Sequence, residues 1–512
     1  MQELESYVLG AWRKGSAAPA LLVNPTTEEP LARASTEGID MRAVLQHARS
    51  VGGPALRALT FGERAARLAA LSAAIHKERE ELIALSVANA GTTRSDAKFD
   101  IDGATGTLAA YAAWGKELGE RRVLADGEGV QLGRTARFWG QHVLVPKPGA
   151  AVHINAFNFP AWNMMEKAAC ALLAGMPVVE KPGTPTAMVA WRIAQIAVAS
   201  GALPEGAWQF LCGSPGDLLD HMGAQDALAF TGSSRTAEML RGHKNLVRQN
   251  VRINLEADSL NAAVLGPDVD PESETFALFV KNVALDMTQK TGQKCTAVRR
   301  ILAPAERAGV VREALTAALA AVVVGDPAEE RTRMGPVVSE SQRKEVRAGI
   351  AKLAETGEIA CGGPEAVRER GYFVAPTLIA ARDARNPTLH ADEVFGPVAS
   401  LIAYSGAAAE AAELCALGGG GLVASAYSND PNWLAEAATG LAPWHGRLWL
   451  GSDRMAEQSL PPGMVLPSMI HGGPGRAGGG EELGGLRGLA FYLQRTALQG
   501  FQSVVRGIAG QG

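Results

Sequence analysis

The sequence predicts an α/β protein of at least two domains, and three observations carry that prediction. Short apolar strands alternate with helices between Ala151 and Leu211, the pattern of a parallel sheet flanked by helices. The alternation resumes after Glu256. The 512 residues also exceed the roughly 250–300 at which one hydrophobic core stops growing. Parallel sheets of this kind hold ligands at the carboxyl ends of their strands, so the turns that follow strands are where chemistry is expected.

Bulk composition narrows the function. Hydrophobic residues make up 47% and charged residues 20%, which fits an ordinary globular chain. A net charge of −4 and a pI near 6.2 give no broad attraction for nucleic acid or an acidic membrane, so neither partner is expected. Cys170, Cys212, Cys295, Cys361 and Cys415 are scattered and never form a C-x-x-C pair, which argues against a disulfide framework or a structural metal; no metal is expected. The opening run Met1-Gln2-Glu3-Leu4-Glu5-Ser6 lacks the basic and apolar regions of a signal peptide, and no stretch approaches the ~18 apolar residues of a membrane span. A reducing cytoplasm is the expected location.

From Phe61 to Leu85, Leu68, Leu71, Ile75, Leu82 and Leu85 recur at helical spacing while Glu63, Arg64, Arg67, Lys77 and Glu78 supply a wet face, predicting one long surface helix. A second helix is predicted around Thr107 to Leu118. Between Val123 and Lys147, Gly129-Val130-Gln131-Leu132-Gly133 and His142-Val143-Leu144-Val145 read as hairpin strands. An extended hairpin of this kind docks on something else, a partner subunit being one possibility.

The alternating units then follow: a strand at Ala151–Ile154, a helix from about Trp162 to Ala174, a strand at Pro177–Glu180, a helix from about Ala187 to Ser200, and a strand near Trp208 to Leu211. Past Glu256, a strand at Arg299–Leu302 and helices at Ala305–Val323 and Glu340–Thr356 predict a second α/β domain. The glycine- and proline-rich stretch from Leu460 to Gly485 reads as loop.

Three residues stand where catalysis is possible. Cys295 lies in the polar run Thr288-Gln289-Lys290-Thr291-Gly292-Gln293-Lys294-Cys295-Thr296, where neighbouring lysines would lower a thiol pKa and favour the nucleophilic thiolate; a buried, inert thiol is the alternative. Glu256 ends the strand-like run Val251-Arg252-Ile253-Asn254-Leu255, where partial burial would make a carboxylate a useful base; a surface ion pair with Arg252 or Arg235 is the alternative. Asn158, between Phe157 and Phe159 in an apolar turn, is either an oxyanion donor or a turn residue bonded to its own backbone.

Two further stretches suit a nucleotide. Lys181-Pro182-Gly183-Thr184 sets a cation and a hydroxyl at a strand end, and Phe230-Thr231-Gly232-Ser233-Ser234-Arg235 could open a helix beneath a pyrophosphate. Neither is the G-x-G-x-x-G fingerprint.

In this order, Phe157-Asn158-Phe159-Pro160, Lys181-Pro182, Phe230-Thr231-Gly232-Ser233, Leu255-Glu256, Gly292-Gln293-Lys294-Cys295-Thr296, Met334-Gly335-Pro336-Val337 and Glu393-Val394-Phe395-Gly396-Pro397-Val398 resemble the NAD(P)-dependent aldehyde dehydrogenase superfamily over nearly the whole chain. The resemblance implies the aldehyde dehydrogenase fold: a Rossmann-like cofactor domain over 1–122 and 148–255, an α/β catalytic domain over 256–487, and a small β oligomerisation region over 123–147 and 488–512. It implies a homodimer or a dimer of dimers.

It also implies residue roles. Cys295 attacks an aldehyde, Asn158 and the Cys295 N–H hold the oxyanion, hydride leaves for the nicotinamide, and Glu256 activates the water that hydrolyses the thioester. Lys167 matches a lysine that carries protons from the base, and Glu482 the second glutamate near the carboxyl terminus. Lys181, Ser233 and Glu393 match ribose and phosphate contacts, Phe395 a nicotinamide-side contact, and Ile154, Phe157, Gly216 and Ala257 further cofactor positions.

Departures from the family pattern sharpen the expectation. Thr184 stands where a glutamate usually bonds the adenosine ribose hydroxyls, and without that carboxylate, with Lys181 nearby, NADP is expected to be preferred and NAD accepted. Glu166 replaces a common tryptophan and either joins a proton path from Glu256 or pairs with Lys167. With Glu256-Ala257-Asp258-Ser259-Leu260-Asn261 and Gln293 to Arg300, these departures resemble a narrower group that oxidises CoA-linked semialdehydes from aromatic ring cleavage. The Leu460–Gly480 loop lacks the usual phenylalanine-glycine-glycine pattern, which would leave a wide channel for such a substrate. The rival expectation is a CoA-acylating enzyme, and beyond that a non-catalytic protein on the same scaffold.

Overall fold

A computed structural model describes residues 1–17 and 19–510. Two seven-stranded sheets form its frame. In the first, the strands Arg252–Glu256, Ala227–Thr231, Ala151–Ile154, Val178–Lys181 and Trp208–Phe210 lie side by side and parallel, and Ser6–Val8 and Ala11–Arg13 extend the edge antiparallel. The chain leaves Ala151–Ile154 toward Val178–Lys181 on one side and later returns to Ala227–Thr231 on the other. That reversal of strand order opens a crevice at the strands' carboxyl ends. Ala227–Thr231 is buried along its whole length, as its unbroken apolar run requires in a sheet covered on both faces.

The second sheet runs Gly357–Cys361, Thr377–Ala381, Val398–Tyr404, Arg300–Pro304, Ala262–Leu265, Gly421–Tyr427 and His445–Gly451, parallel except for its first strand. Residues 257–261 carry the chain directly from the carboxyl end of the first sheet to the amino end of the second. The two sheets therefore meet with opposite ends, and the site between them is not at the carboxyl ends of both.

Every residue of the helix Trp162–Ala174 is buried, Glu166 and Lys167 included. A buried helix start leaves N–H groups that need acceptors. Asp100 supplies them, accepting from the N–H of Trp162 at 2.8 Å and of Ala161 at 3.3 Å.

Asp100 belongs to a helix, Arg94–Leu118, that starts well before the predicted Thr107. Its first half contains Asp100, Asp102, Gly103 and Gly106, poor helix formers that hide the periodicity. Gly103 has a packing reason, since a Cβ there would come within 2.2 Å of the Trp162 ring. The single helix expected over Phe61–Leu85 is two, Phe61–Lys77 and Arg79–Ala90, with Glu78 between them at φ −96°, ψ 17°. The apolar stripe continues across the break in nearly the same phase, so spacing alone does not reveal it.

Phe138–Pro146 and Leu493–Phe501 pair antiparallel over nine residues each, and Leu124–Ala125 and Val130–Gln131 join them in a separate sheet. Within the stretch read as loop, Ile470–Gly472 and Glu481–Leu483 form a small hairpin that carries His471 and Glu482 to the first sheet. Residues 511 and 512 of the carboxyl-terminal segment lie outside the described residues. No helix among the described residues is long and apolar enough to cross a membrane.

Candidate active site

The helix Glu274–Thr288 delivers the chain into a turn in which Lys290, Thr291 and Gly292 all have left-handed φ, at 52°, 58° and 65°. Such backbone persists only where its surroundings over-determine it. They do so here: Asp96 accepts from the Lys290 N–H at 3.1 Å, the Thr291 hydroxyl donates to Gly335 O at 3.0 Å, and a Cβ on Gly292 would sit 2.3 Å from the Gly396 carbonyl. Beyond the turn, Asn261 donates to the carbonyls of Cys295 (2.7 Å) and Ala297 (2.9 Å), and Thr296 donates to Gly463 O at 3.0 Å. Cys295 is thereby fixed, half-buried, at the amino end of the second sheet.

The lysine beside it does not serve the thiol. Lys294 Nζ donates to Asp286 Oδ1 at 2.5 Å and to Gln289 Oε1 at 2.9 Å, a buried pair turned away from the sulfur. Lys290 Nζ lies 4.1 Å from the centre of the Phe159 ring and 3.9 Å from Asp100. Burial, with the negative charge of Glu256, pushes the Cys295 thiol up to about 11. The expectation that sequence-adjacent lysines lower this pKa is overturned.

Glu256 ends its strand opposite Thr231, as its place in the sequence requires. It is buried, and neither carboxylate oxygen accepts a well-aligned hydrogen bond from the described residues. Arg252, the surface partner considered for it, instead donates to the carbonyls of Ala490, Phe491 and Leu493. The nearest cation is the imidazole of His471, with Nε2 3.1 Å from Glu256 Oε2 and 3.8 Å from Cys295 Sγ. Burial raises the carboxyl pKa, but His471 and then Lys167 outweigh it and hold Glu256 below the usual carboxylate range. For His471, burial opposes the charge, but Glu256 and Cys295 lift the imidazole well above its ordinary value.

Behind Glu256 lies a buried cluster built on Lys167. Its ammonium donates to Thr231 Oγ1 at 2.8 Å, Glu482 Oε2 at 3.2 Å and Glu166 Oε1 at 3.5 Å. Burial disfavours that charge, but Glu482, Glu166 and Glu256 more than compensate and raise the lysine's pKa. Asn163 donates to Glu166 Oε1 at 2.6 Å, and Asn254 to Glu482 Oε1 at 3.2 Å. One lysine cannot neutralise three carboxylates, and burial pushes Glu166 up to about 8. An oxygen from each of Glu166, Glu256 and Glu482 lies within 4.8 Å of the others, so Glu166 is both a partner of Lys167 and a neighbour of Glu256.

Asn158, Thr231, Glu256, Cys295 and His471 line one cavity of about 380 Å³. It shares Phe99, Trp162 and Val465 with an adjoining cavity of about 1150 Å³ along the helix Arg94–Leu118.

The nucleotide-type residues gather around the crevice of the first sheet. Ile154 and Lys181 face each other at the ends of neighbouring strands. Phe157 meets Phe395 edge-on at 5.8 Å between centroids. A Cβ on Gly183 would lie 2.5 Å from Phe157 N, so the two turns pack backbone to backbone there. Thr184 opens the short 3-10 turn Thr184–Thr186. Ser233 caps the helix Ser234–Arg241, and Ala257 N–H donates to Ala477 O at 3.0 Å. Gly216 takes φ +54° in a separate turn against Met41. Both Glu393 oxygens are engaged, by Arg299 at 2.9 Å and by the Ser259 N–H at 2.9 Å.

Sequence reasoning missed His471, Asn261 and Arg299. A histidine in a glycine-rich stretch has no periodicity to mark it, and only the hairpin pairing His471 with Glu482 explains why both enter the site.

Residues 12–497 match the Aldehyde dehydrogenase family. The chain is 45% identical over 484 residues to 3,4-dehydroadipyl-CoA semialdehyde dehydrogenase of Aromatoleum evansii, covering 92% of this chain and 93% of that one. It is 28% identical over 498 residues to the chloroplastic betaine aldehyde dehydrogenase of Amaranthus hypochondriacus, covering 93% and 92%. An aldehyde dehydrogenase structure from Bacillus cereus, solved as an NAD+ complex, superposes with a TM-score of 0.85 over 97% of this chain and 96% of that one at 23% identity, a likeness of fold.

Proposed function

This chain belongs to the aldehyde dehydrogenase family, and from that premise we propose that it oxidises a CoA-linked semialdehyde to its carboxylic acid by a hydrolytic route, with NADP as hydride acceptor. The observation that carries the reading is a fixed thiol, a buried carboxylate without a hydrogen-bond donor and a side-chain amide lining one cavity. Each has one task in a two-step acyl transfer.

Cys295 Sγ bonds to the aldehyde carbon, and the Asn158 amide with the Cys295 N–H receives the oxyanion that develops on the thiohemiacetal. The nicotinamide, when bound, supplies the hydride acceptor that turns this adduct into a thioester. Glu256, buried at the end of its strand, takes a proton from the water that attacks the thioester carbon. The carbon–sulfur bond breaks, and the acid leaves. Lys167, Glu166 and Glu482 then relay that proton onward, the Lys167 ammonium giving a proton to the Glu482 carboxylate as it accepts the one from Glu256.

The residues at the first sheet's crevice fit NADP. Lys181 is half-buried, its pKa lowered by burial, and no carboxylate among the described residues pairs with it, so an anion is its natural partner. Thr184 leaves that anion unopposed. Ile154, Phe157, Ser233, Ala257, Glu393 and Phe395 would hold the remainder, with Gly216 in the separate turn that follows the strand Trp208–Phe210.

The substrate reading rests on the relative at 45% identity, and it would seat the long thioester arm in the adjoining cavity that Lys98 lines. The compound named by that relative, 3,4-dehydroadipyl-CoA semialdehyde, is the proposed substrate. Turnover of an aldehyde panel with each cofactor tests this: far higher kcat/KM for simple aliphatic aldehydes would overturn it. An acyl-CoA product formed only with added free CoA would replace the hydrolytic route with the acylating one.

We place the cofactor domain at 1–122 and 148–255, the catalytic domain at 256–487 and a subunit-joining region at 123–147 and 488–512. Supporting the last, the sheet formed by the two segments and the helix after it expose Val130, Leu132, Phe138, Phe501, Val504 and Ile508.

A further inference from the structure

We propose that His471 is the charge partner of the nucleophile, its imidazolium passing from the Glu256 carboxylate to the Cys295 thiolate as the thiol proton moves to Glu256. This rests on the acyl-transfer reading above and adds a residue to it.

The geometry is asymmetric in an informative way. Glu256 Oε2 is the nearer neighbour of His471 Nε2, at 3.1 Å, and forms an ion pair with it. Cys295 Sγ is farther, at 3.8 Å, and has hydrogen-bond geometry to the same nitrogen. The same ring nitrogen thus reaches both the sulfur and the carboxylate that neutralises its charge. Only one proton on Nε2 serves both neighbours.

The other charged groups around the sulfur do not substitute for it. Lys294 is consumed by Asp286, and Lys290 is held over Phe159 beside Asp100. Arg447 donates to the carbonyls of Pro462 and Met464. From the helix behind, Lys167 is engaged by Glu482 and Glu166. Among the described residues, no other cation is hydrogen-bonded to Sγ.

The step balances without an added reactant. Before it, the cluster holds a thiol, an imidazolium and a carboxylate; the S–H bond breaks and an O–H bond forms on Glu256, leaving a thiolate, the same imidazolium and a neutral acid. Net charge is zero throughout. That matters in a buried site, where creating a lone thiolate carries a large desolvation penalty. The three groups titrate as one unit, and thiolate forms when Glu256, whose charge opposes it, is neutralised. Relay of that proton, in which the Lys167 ammonium passes a proton to Glu482 as it accepts the one from Glu256, then restores Glu256 as the base for hydrolysis.

The test is the rate of iodoacetamide alkylation of Cys295 in the full chain, read by peptide mass between about pH 5 and 10, since alkylation reports the thiolate. His471→Gln should alkylate at least about tenfold more slowly at neutral pH, equivalent to about one pKa unit. Glu256→Gln should alkylate faster than the unmutated chain, because the imidazolium has lost its competing partner, and the double variant should be as slow as His471→Gln. An unchanged rate in His471→Gln, or a double variant as fast as Glu256→Gln, overturns the proposal. Should the His471 variants fail to fold, Glu256→Gln decides alone: ultraviolet thiolate absorbance at neutral pH that disappears on alkylation is expected, and a thiol there refutes the handover. Absence of aldehyde oxidation by the unmutated chain would sink the proposed function without touching these rates, so the two failures are distinguishable.

Discussion

Lys167 Nζ lies 3.2 Å from Glu482 Oε2, joining a fully buried helix to a hairpin 315 residues further along the chain. The contact closes the back of the catalytic cavity and decides the protonation of everything in front of it. Removing the ammonium alone leaves two carboxylates buried without their cation, which costs about 3–5 kcal/mol. Lys167→Met should therefore lower stability by that amount in denaturant unfolding, and Lys167→Met combined with Glu482→Leu should recover much of the loss. Equal destabilisation by the single and double variants would show that the pair is not what holds the hairpin down.

Glu166 gives a pH signature. Its folded pKa, about 8, is raised by burial above the unfolded value of about 4.3. The folded state therefore binds the extra proton between those values. Its contribution is fully present below the unfolded pKa and is lost as pH rises through the folded one. Glu166→Gln removes the titration, so its stability relative to the unmutated chain should climb by up to about 1.4 kcal/mol per pH unit from about pH 5 to 8 and then level off. Parallel stability curves for the two chains across that window would rule this out.

Glu256 and Asn158 should fail at different steps. Glu256→Gln leaves the nucleophile intact but removes the base for water, so one equivalent of reduced cofactor should appear in a burst and the acylated Cys295 should persist in the intact mass. Asn158→Ala removes an oxyanion donor, which costs about 10²–10³ in kcat. That loss should extend to the burst itself. A Glu256→Gln chain that shows no burst and no adduct would place Glu256 in the first step only.

The sequence was most informative where chemistry and element ends coincide. Glu256 terminates an alternating strand and Asn158 follows an apolar one, so both could be assigned positions before any coordinates. The helix Trp162–Ala174 was legible for the same reason, as an apolar run flanked by strands. What could not be read were partners brought together by long loops. Lys294 sits next to Cys295 in the chain, yet its ammonium folds back onto Asp286, eight residues earlier near the end of the preceding helix. His471 has no local signal at all, because its meaning comes from pairing with Glu482 across a hairpin hidden in a glycine-rich stretch. Proximity in sequence suggested the wrong cation, and only tertiary pairing supplies the right one.

The sheet built from Phe138–Pro146 and Leu493–Phe501 leaves Phe138 46% and Phe501 57% exposed, beside Val504 and Ile508 on the helix that follows. Large side chains clustered this way on a surface are best buried against a second copy. Phe138→Asp combined with Phe501→Asp should shift the species seen by light scattering from dimer or tetramer toward monomer while Cys295 still alkylates. An unchanged mass in solution would assign the subunit contact to another face.

The proposed NADP preference places cofactor choice at Thr184, which opens the turn directly after Lys181-Pro182-Gly183. Lys181 offers a half-buried ammonium with no paired carboxylate, and Thr184 adds no negative charge beside it. A carboxylate about 8 Å from one phosphate charge, at an effective dielectric of about 20, is worth about 2 kcal/mol, or roughly 30-fold. Thr184→Glu should therefore lower kcat/KM with NADP by roughly that factor. The same carboxylate can accept hydrogen bonds from ribose hydroxyls, so kcat/KM with NAD should hold or rise. Lys181→Ala separates the two contributions: it removes the attraction without adding repulsion, and should weaken NADP while leaving NAD less affected. If the NADP-to-NAD ratio stays fixed in both variants, the 2′-phosphate is recognised elsewhere, and the turn after the Val178–Lys181 strand does not choose the cofactor.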